Sequence, residues 1–300
     1  MFKISHIMAV CGVVAALNLV TLAQADGVSG PHVLRAQQYW MNLTQTPGNQ
    51  GGVVNYYGGP VVSNMQIVSV LWGPNVDPTT VSGVPEYLTD LANSTYVDQL
   101  SIYDTFLTGV NGHKGTKQHI QRGTFFGQVQ ITPKHMSLNI TDVDIIKELK
   151  YQIGTGVLPP QTPNMWYVIY FPENVSIFLP GYGYSCSDWG AYHWSSVRTW
   201  ASKTNIYYAV EPECGGGFDT ITWTSSHEFA ETLTDPVSTG GAPTYPDAWV
   251  TSYYAEIGDL CQGYYGMLTG GTKSYLVQQV YLDSTLDSIP GCSTGNYTSP

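Results

Sequence analysis

Apolar and aromatic runs along the chain predict four β-strands, each bounded by glycine, proline or asparagine. Three of the runs are almost uninterrupted, as expected of strands that are buried on both faces, and one alternates between apolar and polar positions. The predicted strands are residues 65–73, 123–133, 165–172 and 205–212.

Apolar residues at helical spacing predict helices between these strands. Residues 84–100 indicate one or two short helices, and residues 141–156 indicate a helix that begins at a Thr or Asp cap and ends at Gly154. The apolar positions expected to be buried are Leu88, Leu91, Ala92, Ile145, Ile146, Leu149 and Ile153.

The loose alternation of strands and helices favours an α/β or α+β fold in a single domain, with a mixed sheet and a helix layer. Residues 240–300 are rich in loop-forming residues and hold two of the cysteines. We expect them to form a loop-rich, disulfide-bonded C-terminal subdomain that folds over the rest.

The N-terminus predicts export. Residues 1–25 combine a positive start at Lys3, an apolar stretch and an Ala-x-Ala site at 23–25, so we expect a signal peptide and a mature domain of residues 26–300. A membrane anchor fits less well, because the apolar run is short and contains Asn18. The protein is therefore expected to be secreted and, once cleaved, free of the membrane.

The low fraction of charged residues and the negative net charge limit the classes of binding partner. Only 11% of the residues are charged and the net charge is -11, with no cluster of Lys or Arg. Nucleic acid and anionic membranes are excluded, since both bind basic surfaces. A cationic ligand, a metal ion or a neutral polymer fits better. We expect an extracellular protein, peptide or polysaccharide substrate and a monomeric protein.

Four cysteines remain after signal cleavage, an even number that indicates two disulfides in an oxidising compartment. Pairing of sequence neighbours, Cys186 with Cys214 and Cys261 with Cys292, is favoured over the two other pairings. A four-cysteine zinc site lacks the C-x-x-C spacing that such sites use.

Residues 225–235 concentrate candidate metal ligands. In a helix that begins at Ser225 or Ser226 and ends before Pro236, His227 and Glu231 lie about 40° apart, and Asp235 lies about 80° from His227. The pattern H-E-x-x-E resembles zinc-protease helices with Glu231 in place of the second histidine. The alternative is a surface helix that is merely acidic.

In the hydrolase interpretation, His227 and Glu231 bind one divalent ion and Glu228 acts as the catalytic base. Zinc is favoured, while the carboxylate ligand leaves calcium, manganese or magnesium open. A further ligand is expected from Asp235 or from residues outside this helix. The candidates outside the helix are Glu256, Asp259 and His193.

His193 has an alternative interpretation as a hydrogen-bonded histidine beneath the Cys186 loop. The other histidines in polar loops are expected at the surface; they are His113, His119 and His135.

Four motifs resemble the EXORDIUM, or phosphate-induced protein 1, family. They are residues 56–74, 91–104, 224–236 and 255–261, and the third is similar to the S-H-E-x-x-E-x-x-T-D-P motif of microbial secreted relatives. The resemblance implies an extracellular protein. Plant members are associated with growth and the cell wall and usually lack the His-Glu pair at 227 and 228, so catalysis carries over only to members that keep it.

Three functions follow as predictions, and the third is a signalling protein that resembles the plant members. The first is a secreted metal-dependent hydrolase, in particular a zincin-like peptidase. The second is a non-catalytic extracellular module that holds a structural ion and binds wall polysaccharide or a protein partner. In the second, exposed aromatic residues stack on sugars, and the candidates are Trp189, Trp194 and Trp249.

Overall fold

The computed structural model describes most of the chain. The described residues are 32–35, 52–134, 137–196, 205–283 and 291–300. The predicted signal peptide at 1–25 and the predicted surface residue His135 lie outside them. Within these segments, no helix is long and apolar enough to cross a membrane.

The described segments form a mixed α/β structure with four α-helices and several sheets. The strands are β1 (His32–Arg35), β2 (Val54–Tyr56), β3 (Asn64–Trp72), β4 (Gln121–Ile131), β5 (Asn139–Thr141), β6 (Met165–Phe171), β7 (Ser176–Leu179), β8 (Gly183–Tyr184), β9 (Trp189–Ser195), β10 (Tyr207–Pro212), β11 (Trp249–Thr251), β12 (Tyr265–Gly270), β13 (Lys273–Gln278), β14 (Tyr281–Leu282), β15 (Gly291–Cys292) and β16 (Asn296–Thr298). The helices are α1 (Pro78–Ala92), α2 (Thr95–Asp98), α3 (Asp142–Gly154) and α4 (Phe218–Thr234).

The largest sheet has six strands in the order β1-β9-β10-β6-β3-β4. Strands β10, β6, β3 and β4 are parallel, whereas β9 runs antiparallel to both of its neighbours. The four strands predicted from the apolar runs are confirmed as β3, β4, β6 and β10. The two strands at the other edge, β1 and β9, were not predicted.

Both faces of this sheet are covered. Along β6, Trp166 and its alternate neighbours join one hydrophobic cluster, and Tyr167 and its alternate neighbours join another, as the two-residue period of a strand requires. Helices α1 and α4 pack into the first cluster and α3 into the second. The predicted helix layer is therefore present on both faces.

The helix predicted at 141–156 is confirmed as α3, which begins at a Thr141 capping box. Ile145 and Leu149 are fully buried, whereas Ile146 and Ile153 are half-buried against the same cluster. The segment predicted as one or two short helices forms α1 and α2, and α1 begins earlier than predicted, at Pro78 after an Asp77 cap.

Helix α4 begins seven residues earlier than predicted. Its N-cap is Gly217, which has a φ of +73°, and no side chain caps the helix start. Ser225 and Ser226 therefore lie in mid-helix, where their hydroxyls donate back to the carbonyls of Ile221 and Trp223. The predicted end before Pro236 is confirmed.

The C-terminal part contains more strand than the loop-rich prediction implied. Strands β12 and β13 form a hairpin, and β16 adds to it alongside β12. Strand β13 packs directly on α4. Both predicted disulfides are confirmed, Cys186–Cys214 and Cys261–Cys292, and they are consistent with an extracellular protein.

Candidate metal centre

The helix α4 lies inside the molecule rather than on its surface. Every residue from Ile221 to Thr234 is buried, and His227, Glu228 and Glu231 are at most 1% exposed. The interpretation as an acidic surface helix is therefore wrong. Phe229 packs into the hydrophobic cluster on the opposite side of the helix, as its position in the helical repeat predicts.

His227, Glu231 and Asp259 form a first group of candidate ligands. One nitrogen or oxygen atom from each lies within 4.8 Å of the others. Nε2 of His227 is 3.1 Å from Oε2 of Glu231, and the backbone N–H of Asp259 donates to Oε1 of Glu231. The segment 255–261 thus meets α4, as expected if it supplies a third ligand.

Gln278, on β13, fixes the orientation of the His227 ring. Its amide nitrogen donates to the carbonyl of Gly258, so its oxygen faces Nδ1 of His227 at 3.0 Å. An oxygen acceptor there requires a proton on Nδ1. In the neutral ring, Nε2 then carries the lone pair and faces Glu231, which is the arrangement a metal ligand needs.

His193, Glu228 and Glu231 form a second group with the same mutual spacing. Nδ1 of His193 lies 3.0 Å from Oε2 of Glu228 and 3.6 Å from Oε2 of Glu231. Its Nε2 lies 3.6 Å from Glu256. His193 is thus hydrogen-bonded, as its alternative interpretation expected, and its partner Glu228 belongs to the candidate site.

Burial and mutual repulsion dominate the electrostatics of the centre. Burial raises the pKa of Glu228 well above its usual value, and the charges of Glu231 and Glu211 raise it further. The pKa of Glu256 is raised in the same way, by burial and then by Glu231. Burial lowers the pKa of His227, but the Glu231 carboxylate and other neighbours more than offset this and leave it raised. A bound cation would relieve this crowding.

Asp235, a predicted ligand, lies outside both groups. It is the C-cap residue of α4, and its Oδ1 accepts a hydrogen bond from the backbone N–H of Ala248 at 2.7 Å. Its position therefore suits it to hold the chain that leaves the helix.

The aromatic residues expected to stack on sugars are mostly inside the protein. Trp189 and Trp249 are at most 2% exposed and Trp194 is half-buried. The expectation of an exposed stacking platform is wrong for the first two. The surface positions expected for His113 and His119 are confirmed.

Sequence reasoning missed two polar residues of this region, Gln278 and Glu211. Glu211, on β10, accepts a hydrogen bond from Thr224 at 2.7 Å, and burial raises its pKa to about 8. The only sequence feature that could have indicated Glu211 is that it is a single acidic residue at the end of an apolar strand. No such feature marks Gln278.

Comparisons with protein-family models, with characterised proteins and with solved structures gave no match to this chain. The resemblance to the EXORDIUM family therefore stays a prediction that rests on its four motifs.

Proposed function

We propose that the protein is a secreted metal-dependent hydrolase, of the zincin-like peptidase type. The observation that carries the proposal is the convergence of His227, Glu231 and Asp259 within 4.8 Å. Two of these residues lie one helical turn apart on α4, with Glu228 between them. This resembles the H-E-x-x-H arrangement of metal-dependent peptidases, with Glu231 in place of the second histidine.

Each residue of the site has a distinct role in the proposed reaction. His227, Glu231 and Asp259 would hold the ion, which would polarise a substrate carbonyl and lower the pKa of a bound water. Glu228 accepts the proton of the attacking water and returns it to the leaving amine. Gln278 keeps the His227 ring in the ligating tautomer.

A second candidate is the non-catalytic extracellular module with a structural ion. One observation favours it, namely the burial of Glu228 and His227, which are at most 1% exposed. A polymer substrate needs contact with Glu228, so the hydrolase requires a conformation in which this region opens. A structural ion requires no such opening.

Two substitutions separate the candidates. Glu228→Gln should abolish hydrolysis of an unstructured peptide library and keep the ion at His227, whereas His227→Ala should lose both. The matched control is Glu173→Gln, at an exposed position. Metal content is measured by mass spectrometry of purified protein. Hydrolysis that survives Glu228→Gln contradicts the mechanism, and a metal-loaded protein that cuts nothing favours the module.

A further inference from the structure

Six buried or half-buried side chains surround the centre, and their composition exceeds what one ion needs. They are two histidines and four carboxylates: His193, His227, Glu228, Glu231, Glu256 and Asp259. A structural or catalytic zinc usually takes three or four protein ligands. Two histidines with four carboxylates is instead the ligand set of dinuclear carboxylate centres.

The candidate ligands fall into two overlapping groups. His227 groups with Glu231 and Asp259, His193 groups with Glu228 and Glu231, and only Glu231 belongs to both groups. Oε2 of Glu231 lies 3.1 Å from the His227 ring and 3.6 Å from the His193 ring. A carboxylate between two imidazoles is placed to bridge two cations.

The formal charge of the six side chains also suits two ions. Four ionised carboxylates and two neutral imidazoles carry a charge of about -4, and one divalent ion leaves about half of it uncompensated in a buried site. Two divalent ions neutralise it.

Two buried carboxylate oxygens without hydrogen-bond donors also support a second ion next to Glu228 and Glu231. Oε1 of Glu228 and Oε2 of Glu231 are buried and accept no hydrogen bond from the described residues. Buried carboxylate oxygens without a donor are costly unless a cation binds them. Glu228 belongs to the second group of ligands, and Glu231 belongs to both groups.

We propose that the protein holds two divalent cations that share Glu231, one at His227 and Asp259 and the other at His193 and Glu228. The proposal rests on the proposed function for the His227 position and adds the second position to it. Imidazole with several carboxylates suits Zn²⁺, Mn²⁺ or Fe²⁺. A carboxylate that binds an ion through one oxygen keeps the other for proton transfer, so Glu228 can fill both roles.

Manganese provides the test, because two bridged Mn²⁺ ions give an exchange-coupled electron paramagnetic resonance spectrum. The full chain is freed of metal and titrated with Mn²⁺, and bound metal is counted by mass spectrometry. About two ions per chain with a coupled spectrum are expected. One ion per chain, or two uncoupled ions, overturns the second position and leaves the proposed function standing. No bound ion overturns both.

Substitution of the second position gives an independent measurement. His193→Gln should reduce the content to about one ion per chain and leave the spectrum of an isolated Mn²⁺. His119→Gln, at an exposed histidine, should keep both ions. Two ions retained in His193→Gln contradict the assignment. If this variant does not fold, as judged by circular dichroism, the coupled spectrum of the wild type decides alone.

Discussion

Gly258 lies directly against the imidazole of His227, where a β-carbon at position 258 would be 2.6 Å from Nδ1. The same β-carbon would be 2.7 Å from Oε1 of Glu231. We therefore expect Gly258→Ala to displace both ligands and to weaken metal binding about 10-fold or more. Isothermal titration calorimetry with Zn²⁺ measures the change in affinity. Gly271→Ala, where an added β-carbon meets nothing within 4 Å, is the control and should bind as the wild type does.

Gln278 should matter for metal affinity although it binds no metal. Gln278→Ala removes the acceptor that holds the proton on Nδ1 of His227, so the ring loses its preference for the ligating tautomer. We expect Zn²⁺ affinity to fall about 10- to 100-fold. Competition with a chromogenic chelator measures the change, and Gln130→Ala, at an exposed position of β4, is the control. Unchanged affinity in Gln278→Ala would show that the ring is oriented by other groups.

Glu211 should make stability depend on pH. Its folded-state pKa of about 8 lies above the value of 4.5 expected in the unfolded chain. The folded state therefore holds a proton that the unfolded state releases, and stability is lost as pH rises from 4.5 to about 8. The loss should be about 1.4 kcal/mol per pH unit within that window.

Glu211→Gln stays neutral at every pH and should remove this slope. Urea unfolding of both proteins at several pH values, under the same metal loading, gives the difference in free energy of unfolding. The control is Glu173→Gln, at an exposed position. The assignment fails if the gap between Glu211→Gln and the wild type does not widen as pH rises.

The two disulfides should contribute similarly to stability and differently to metal binding. Their cysteines are 28 and 31 residues apart, so removing either should cost about 3–4 kcal/mol by the loop-entropy model. Only Cys261 belongs to the turn Asp259–Cys261 that carries a candidate ligand. We expect a Cys261→Ser, Cys292→Ser double variant to lose Zn²⁺ affinity, and a Cys186→Ser, Cys214→Ser double variant to keep it. Equal affinity in both would remove the link between this disulfide and Asp259.

Local pattern was sufficient for the parts of the site that lie within one turn of helix. The spacing of His227 and Glu231 follows from helical geometry, and the second segment was found because Glu256 and Asp259 stand close to a cysteine. The buried strands β3, β6 and β10 were predicted because an apolar run needs no knowledge of the rest of the fold.

Features that depend on tertiary contacts could not be predicted from local sequence patterns. The start of α4 contains threonine, isoleucine and tryptophan, which have modest helix propensity, and burial in the core overrides that propensity. Strand β9 interleaves glycine and serine with aromatic residues, so its period was obscured and the strand that carries His193 was not predicted. Gln278 reaches His227 only because β13 packs on α4, a contact that no local pattern encodes.

The docking of β13 on α4 also bears on the order of events during synthesis. His193 and His227 leave the ribosome well before Gln278, which orients the His227 ring. A partly made chain therefore has both histidines but no structure that selects the ligating nitrogen of His227. We expect the proposed ion to bind tightly only after β13 has packed on α4, late in folding.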